Sequence, residues 1–180
     1  MVDQFALLDS SVLINILASD RVGEVLKALA AGAGVCTAVM AEALYLRGER
    51  PTDARTRVCL QPLIDGGLLE EHAVQTEEER ALYVDLAADL DDGEAMTLAI
   101  AYERRIITAT DDKKARRIAR ARFGNAVRLL GTADIVNGWA SGQDEMSVRT
   151  VLRRIEVVAQ FRPPNDDPLL RWWLNATSQP

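Results

Sequence analysis

Short apolar runs alternate with stretches whose apolar positions recur at helical spacing along most of the chain, the pattern of βαβ units wound around a parallel sheet. Phe5 to Leu8 reads as a first strand. It leads into a helix that carries Val12, Leu13, Ile16 and Leu17 on one face. Asp20 to Gly23 punctuates that helix, and a second covers about Glu24 to Ala30. Gly32-Ala33-Gly34 breaks it ahead of a short strand, Val35 to Thr37. A third helix is expected from Val39 to Arg47, ended by Gly48 and Pro51. Another runs from Pro51 toward Ile64 and stops at Gly66-Gly67.

Leu68 to His72 reads as a short edge strand. Thr76 followed three residues later by Glu79 is a capping box, and it starts a helix to about Leu90. Asp91-Asp92-Gly93-Glu94 opens an alanine-rich helix that buries Met96, Leu98, Ala99 and Tyr102 or their neighbours. A strand over Ile106 to Ala109, a basic helix over Lys113 to Arg122 and a last strand over Val127 to Leu130 follow. After Gly131 the pattern is helical, strongest from Met146 to Ala159 and closed by Pro163-Pro164. Trp139 is expected in the core. Trp172-Trp173 is expected to pack against its own domain or a partner subunit.

Composition narrows the classes. At 180 residues the chain fits one domain that buries about two-thirds of its unfolded surface. No segment approaches the roughly 20 apolar residues of a membrane span. The start, Met1-Val2-Asp3-Gln4, lacks a basic and apolar leader, which points to the cytoplasm. Cys36 and Cys59 are expected as buried free thiols. With His72 the only histidine, zinc clusters and serine or cysteine hydrolase chemistry are poorly served. Carboxylates must carry any catalysis. The net charge of -6 and pI near 4.9 argue against wholesale nucleic-acid binding, unless cations offset the acids or bases segregate on one face.

Four acids stand at matching places. Asp9 and Asp111 follow strand-like runs, Glu42 lies early in the helix after the second strand, and Glu94 heads the alanine-rich helix. In an open parallel sheet all four gather at the carboxyl edge, where ligands bind, and like charges held that close need a cation. Helix capping is the competing explanation for Asp9, Asp91, Asp92 and Asp112, a favourable helix-start charge for Glu94, and a solvated face for Glu42.

Leu7-Leu8-Asp9-Ser10-Ser11-Val12-Leu13-Ile14, Ala38-Val39-Met40-Ala41-Glu42, Asp92-Gly93-Glu94-Ala95-Met96-Thr97-Leu98-Ala99 and Ile106-Ile107-Thr108-Ala109-Thr110-Asp111-Asp112 together resemble the PIN-domain nucleases, in the right order over about Phe5 to Thr132. Gly93-Glu94-Ala95, the run from Asp111 to Arg116 and Leu130-Gly131-Thr132 look like a toxin-like bacterial and archaeal subgroup. The resemblance implies a three-layer α/β/α fold around a parallel sheet. A PIN-like domain over 1–135 would be followed by a helical extension over 136–180 packed on it.

It further implies a Mg²⁺- or Mn²⁺-dependent ribonuclease. Asp9, Glu42, Glu94 and Asp111 are the catalytic and metal-holding acids, with Asp112 a further metal candidate. Asp92 competes with Glu94, and Asp112 with Asp111. Ser10, Lys113, Lys114, Arg116 and Arg117 are candidates for substrate contact, and Arg47, Arg50, Arg55 and Arg57 cluster after the Glu42 helix. Ser10 and Thr110 could brace a carboxylate. RNA, a homodimer partner and, for a toxin, an antitoxin protein are the implied partners. A receiver-like module and a non-catalytic PIN domain are the alternatives. The receiver reading lacks its acid pair at the first strand and a lysine after the last one.

Overall fold

The computed structural model describes residues 5–50 and 52–178. Its strands are β1 (Ala6–Leu8), β2 (Ala33–Cys36), β3 (Tyr45–Leu46), β4 (Thr56–Arg57), β5 (Glu70–His72), β6 (Ile107–Ala109) and β7 (Leu129–Leu130). Its helices are α1 (Ser10–Ala18), α2 (Val22–Leu26), α3 (Thr37–Ala41), α4 (Gln61–Asp65), α5 (Glu77–Leu86), α6 (Asp92–Arg104), α7 (Lys113–Phe123), α8 (Thr132–Ala140), α9 (Glu145–Arg154) and α10 (Leu170–Ser178). A π-helical turn over Ile155–Ala159 continues α9.

Five strands pair in parallel in the order β5-β2-β1-β6-β7, so their carboxyl ends share one edge. β1 is central and fully buried, with Ala6 facing Ala33 on one side and Ile107 on the other. Gly34 is required where β2 meets β5: a Cβ there would come within 2.7 Å of the Glu70 carbonyl and 2.9 Å of the Phe5 ring. Helices α1, α2 and α8 pack together on one face, and α5, α6 and α7 pack on the other, with α3 against α6. This is the α/β/α arrangement with C-terminal helices added.

The last helices join the main core. Trp173 is completely buried and packs edge-on against Phe161, and its indole N–H donates to Glu156 Oε1 at 3.0 Å. An indole held this way puts the cost of Trp173→Ala at about 3–5 kcal/mol. Trp139 is in the same core.

Residues 39–64 depart from expectation. Helix α3 ends at Ala41, and Glu42 is its extended C-cap, φ −67° and ψ 146°, rather than a residue a turn inside a longer helix. The chain then forms an antiparallel hairpin, Tyr45 opposite Arg57 and Leu46 opposite Thr56. The local period is two. Leu44 and Val58, joined by a 2.9 Å backbone hydrogen bond, belong to the core side, whereas Tyr45 and Arg57 are exposed. Helix α4 is confined to Gln61–Asp65, and Cys59, expected to be buried, is exposed.

Other differences are at element ends. Helix α2 ends at Leu26 and α5 at Leu86, β2 begins at Ala33, and Thr37 already belongs to α3. In α6, Leu98 and Ala99 are buried as expected, while Met96 and Tyr102 are half-buried.

Candidate active site

Asp9 leaves β1 with extended backbone and caps α1, so the capping role and the site role fall on one residue. Its side chain is 2 % exposed. One oxygen accepts from the Ser10 backbone N–H at 2.8 Å; the other accepts from the hydroxyls of Ser11 at 2.8 Å and Thr110 at 2.9 Å. Burial pushes its carboxyl above the ordinary range even against these bonds, and the charge of Asp91 adds to the rise.

Asp111 follows β6 by two residues. Its carboxylate accepts from the Asn15 side-chain amide at 2.9 Å, from the Thr132 backbone N–H at 3.0 Å and from the Thr132 hydroxyl. A Cβ on Gly131 would lie 2.9 Å from Asp111 Oδ1, so glycine there leaves this oxygen room. Burial again raises the carboxyl, with Arg116 opposing. Ser11 links the two strand ends, since its hydroxyl donates to Asp9 and accepts from the Asp111 N–H at 3.1 Å. Thr110 repeats the device: its hydroxyl donates to Asp9 and accepts from the Asp112 N–H at 3.1 Å.

Glu94 is the third residue of α6 and completes a capping box with Asp91. Burial, then the charges of Asp91, Asp112 and Asp9, push it up to about 7. Glu42 is raised by burial too, with Asp91, Asp9 and Asp92 adding and a hydrogen bond from Ser10 opposing. Its carboxylate lies over the start of α6, where a Cβ on Gly93 would overlap Oε1. Asp92 is turned outward and accepts from the Tyr83 hydroxyl at 3.0 Å, while Asp112 caps α7 by accepting from the Ala115 N–H at 2.8 Å. Asp9, Glu42 and Glu94 thus feel one another's charge, directly or through Asp91, whereas the polar partners of Asp111 stand on α1 and α8.

The basic residues divide. Arg116 turns inward, and its Nη1 donates to the carbonyls of Thr110 at 2.8 Å and Leu130 at 3.0 Å, bracing the ends of β6 and β7. Lys113, Lys114, Arg117 and Arg120 are exposed on α7 directly beyond the acids.

Sequence reasoning passed over Asn15 and Thr132. The available signal was a polar Asn15 beside the apolar stripe of α1, where nothing apolar explains it. The partners lie 96 and 117 positions away along the chain.

The donor set is all oxygen, which suits a hard divalent cation, and the bare Cα atoms of Gly93 and Gly131 leave space beside two of the carboxylates. Among the described residues, no three acidic, histidine or cysteine side chains stand close enough to cage one ion directly. Such a set matches a cation held by one or two carboxylates with water and substrate oxygens completing its shell, the habit of Mg²⁺. Among the described residues no helix is long and apolar enough to cross a membrane.

No curated protein and no solved structure matches the chain. A family model described as a PIN domain matches residues 5–166, from the first residue described, through every strand and past α9 and its π-helical turn, ending short of α10. With that match over most of its length, and with a parallel sheet whose carboxyl edge carries buried acids, this chain belongs to the PIN-domain family, whose members are in general nucleases.

Proposed function

We propose that this protein is a metal-dependent endoribonuclease that hydrolyses RNA phosphodiester bonds at the carboxyl edge of its sheet. The observation that carries the reading is electrostatic. Asp9, Glu42, Glu94 and Asp111 are all pushed toward their neutral forms by burial, and the first three also by neighbouring acids, with no Lys or Arg among the described residues acting on those three. A bound divalent cation reverses that shift and returns the carboxylates to their charged forms.

Asp9 and Asp111 are held in single rotamers by Ser11, Thr110, Asn15 and Thr132, which fits them to be the rigid ligands. Glu94 adds the third oxygen donor, and Asp112, whose charge reaches Glu94, stands beside it. Glu42, bonded by Ser10 and resting over Gly93, is placed to orient an attacking water by accepting its proton or a hydrogen bond from it. Held by these acids, Mg²⁺ or Mn²⁺ would supply charge neutralisation at the phosphoryl oxygens and lower the pKa of the attacking water. Lys113, Lys114 and Arg117, exposed on α7 just after Asp111 and Asp112, hold the phosphate backbone in this reading. Arg116, committed to two carbonyls, orders the strand ends that present Asp111.

The test is cleavage of a labelled RNA with Mg²⁺ or Mn²⁺ by wild type and Asp9→Asn. The variant should lose at least about a hundredfold in rate, more than the 10- to 100-fold typical of an outer partner, while thermal unfolding shows the fold retained. Wild-type activity in Asp9→Asn, or cleavage that persists in chelator, overturns the reading.

A further inference from the structure

The β3–β4 hairpin leaves the site directly from Glu42. Tyr45 is three positions beyond Glu42, a reach of at most about 11 Å, so whatever the hairpin holds lies close to the carboxylates. Its two faces differ in kind. Leu44 and Val58 turn to the core, and Tyr45 and Arg57 form a cross-strand pair on the opposite, exposed face. Arg47 and Arg55 directly flank the paired residues at the outer ends of the two strands, and both are exposed.

That face is costly for the protein alone. Guanidinium groups gathered on one short hairpin repel one another, and the chain as a whole is acidic at -6. The acids of the hairpin are spent elsewhere: Asp53 pairs with Arg50 near the tip, and Glu49 pairs with Arg154 of α9. Among the described residues Arg47, Arg55 and Arg57 have no ion-pair or hydrogen-bond partner. Tyr45, at 46 % exposure, stacks on no other ring among them. An exposed aromatic ring set among three unpaired guanidinium groups matches one chemistry, bases that stack on a π-face and phosphates that meet cations. Bases within a duplex are stacked already and offer no free face to such a ring.

We propose that the outer face of this hairpin binds a single-stranded segment of the substrate RNA, with Tyr45 stacking on a base and Arg47, Arg55 and Arg57 holding the flanking phosphates. The proposal rests on the ribonuclease reading and names the form of RNA that the site receives. Tyr45 is then a specificity-determining residue for unpaired RNA.

The experiment is fluorescence anisotropy in chelator, where no metal-dependent cleavage intervenes, using a labelled single strand of about 12 nucleotides and a duplex of the same sequence. Tyr45→Ala should weaken single-strand binding by about 5- to 100-fold, the equivalent of one lost base stack, while Tyr45→Phe stays near wild type and duplex binding is little changed. Arg57→Gln should lower the slope of log affinity against log salt by about 0.7, one phosphate contact of a single strand. Unchanged single-strand binding by Tyr45→Ala, or an equal loss for strand and duplex, overturns the proposal. Neither result touches the nuclease reading, which stands or falls on Asp9→Asn with metal.

Discussion

Asp9 and Glu79 each leave 2 % of their surface exposed, though Asp9 lies the deeper of the two, and their carboxyls move in opposite directions. Glu79 meets Arg104 through two bonds, at 2.6 and 3.0 Å, and also accepts from the Gln75 N–H at 2.7 Å, so its charged form is favoured. Arg104 is anchored further by the Ala73 carbonyl and a His72 ring nitrogen. Asp9 is bound only by hydroxyls and an amide N–H, and burial prevails. A buried acid whose task is to hold the fold is neutralised from within the chain. The acids at the sheet edge are hydrogen-bonded into place without being neutralised, which leaves their charge for a cation from outside.

The largest test of this contrast is on the paired side. Glu79→Ala leaves Arg104, 22 % exposed, without its carboxylate and should cost about 3 kcal/mol, the lower end for a broken buried pair because water reaches the guanidinium. Denaturant unfolding measures it, and metal-dependent cleavage by the folded fraction should be unchanged. A cost under about 1 kcal/mol would place the pair with ordinary surface bridges and erase the contrast.

On the unpaired side, Gly93→Ala should act in the reverse sense. The new methyl meets the end of the flexible Glu42 side chain, which can swing away, so the fold should be retained. Alanine is otherwise favoured over glycine in a helix by about 0.5–1 kcal/mol. Cleavage should fall by about 10- to 100-fold, the usual loss when a supporting group of a metal site is displaced. Steady-state kinetics beside a thermal melt separates the two effects, and full activity would remove Glu42 from the mechanism.

The smallest effect is in pH. Glu94 titrates near 7 in the folded, metal-free protein and near 4.5 when unfolded, so across that window the folded state binds more protons. Stability from this group is therefore full below about pH 4.5 and declines as pH rises toward 7. His72 works against it: burial and Arg104 hold its pKa below 6.5, so its contribution grows as pH rises to that point. Glu94→Gln isolates the first term. The difference in melting temperature between variant and wild type, in chelator, should widen in the variant's favour from pH 5 to 7.5, and saturating Mg²⁺ should reverse it. A difference independent of pH would mean that Glu94 is not held in its neutral form.

Much of this was legible in the linear chain. The apolar runs marked β1, β2, β6 and β7, because a parallel strand buried on one or both faces leaves a local apolar trace, and the polar edge strand over Glu70–His72 was marked by Leu68-Leu69 just before it. The helix caps at Thr76 and Asp91 were legible for the same local reason, although the box read at Thr76 stays half-formed, its Glu79 carboxylate accepting from the Gln75 N–H, and the full box forms at Asp91. The hairpin was not. Leu44, Tyr45, Leu46 and Arg47 alternate over too few residues to compete with the helical reading of Val39 to Arg47, and only the pairing with Thr56–Arg57 selects the extended form.

By itself, the sequence determined the βαβ alternation, the caps, and the placement of an acid after each of two strands and at the head of α6. These are properties of neighbours along the chain. Tertiary structure decided which acids feel one another, that Asn15 and Thr132 hold Asp111 across 96 and 21 positions, that Arg116 braces strand ends, and that Tyr45 and Arg57 share a face. Those facts depend on strand order and register, which bring distant positions within a few ångströms and leave little mark on the residues either side of each.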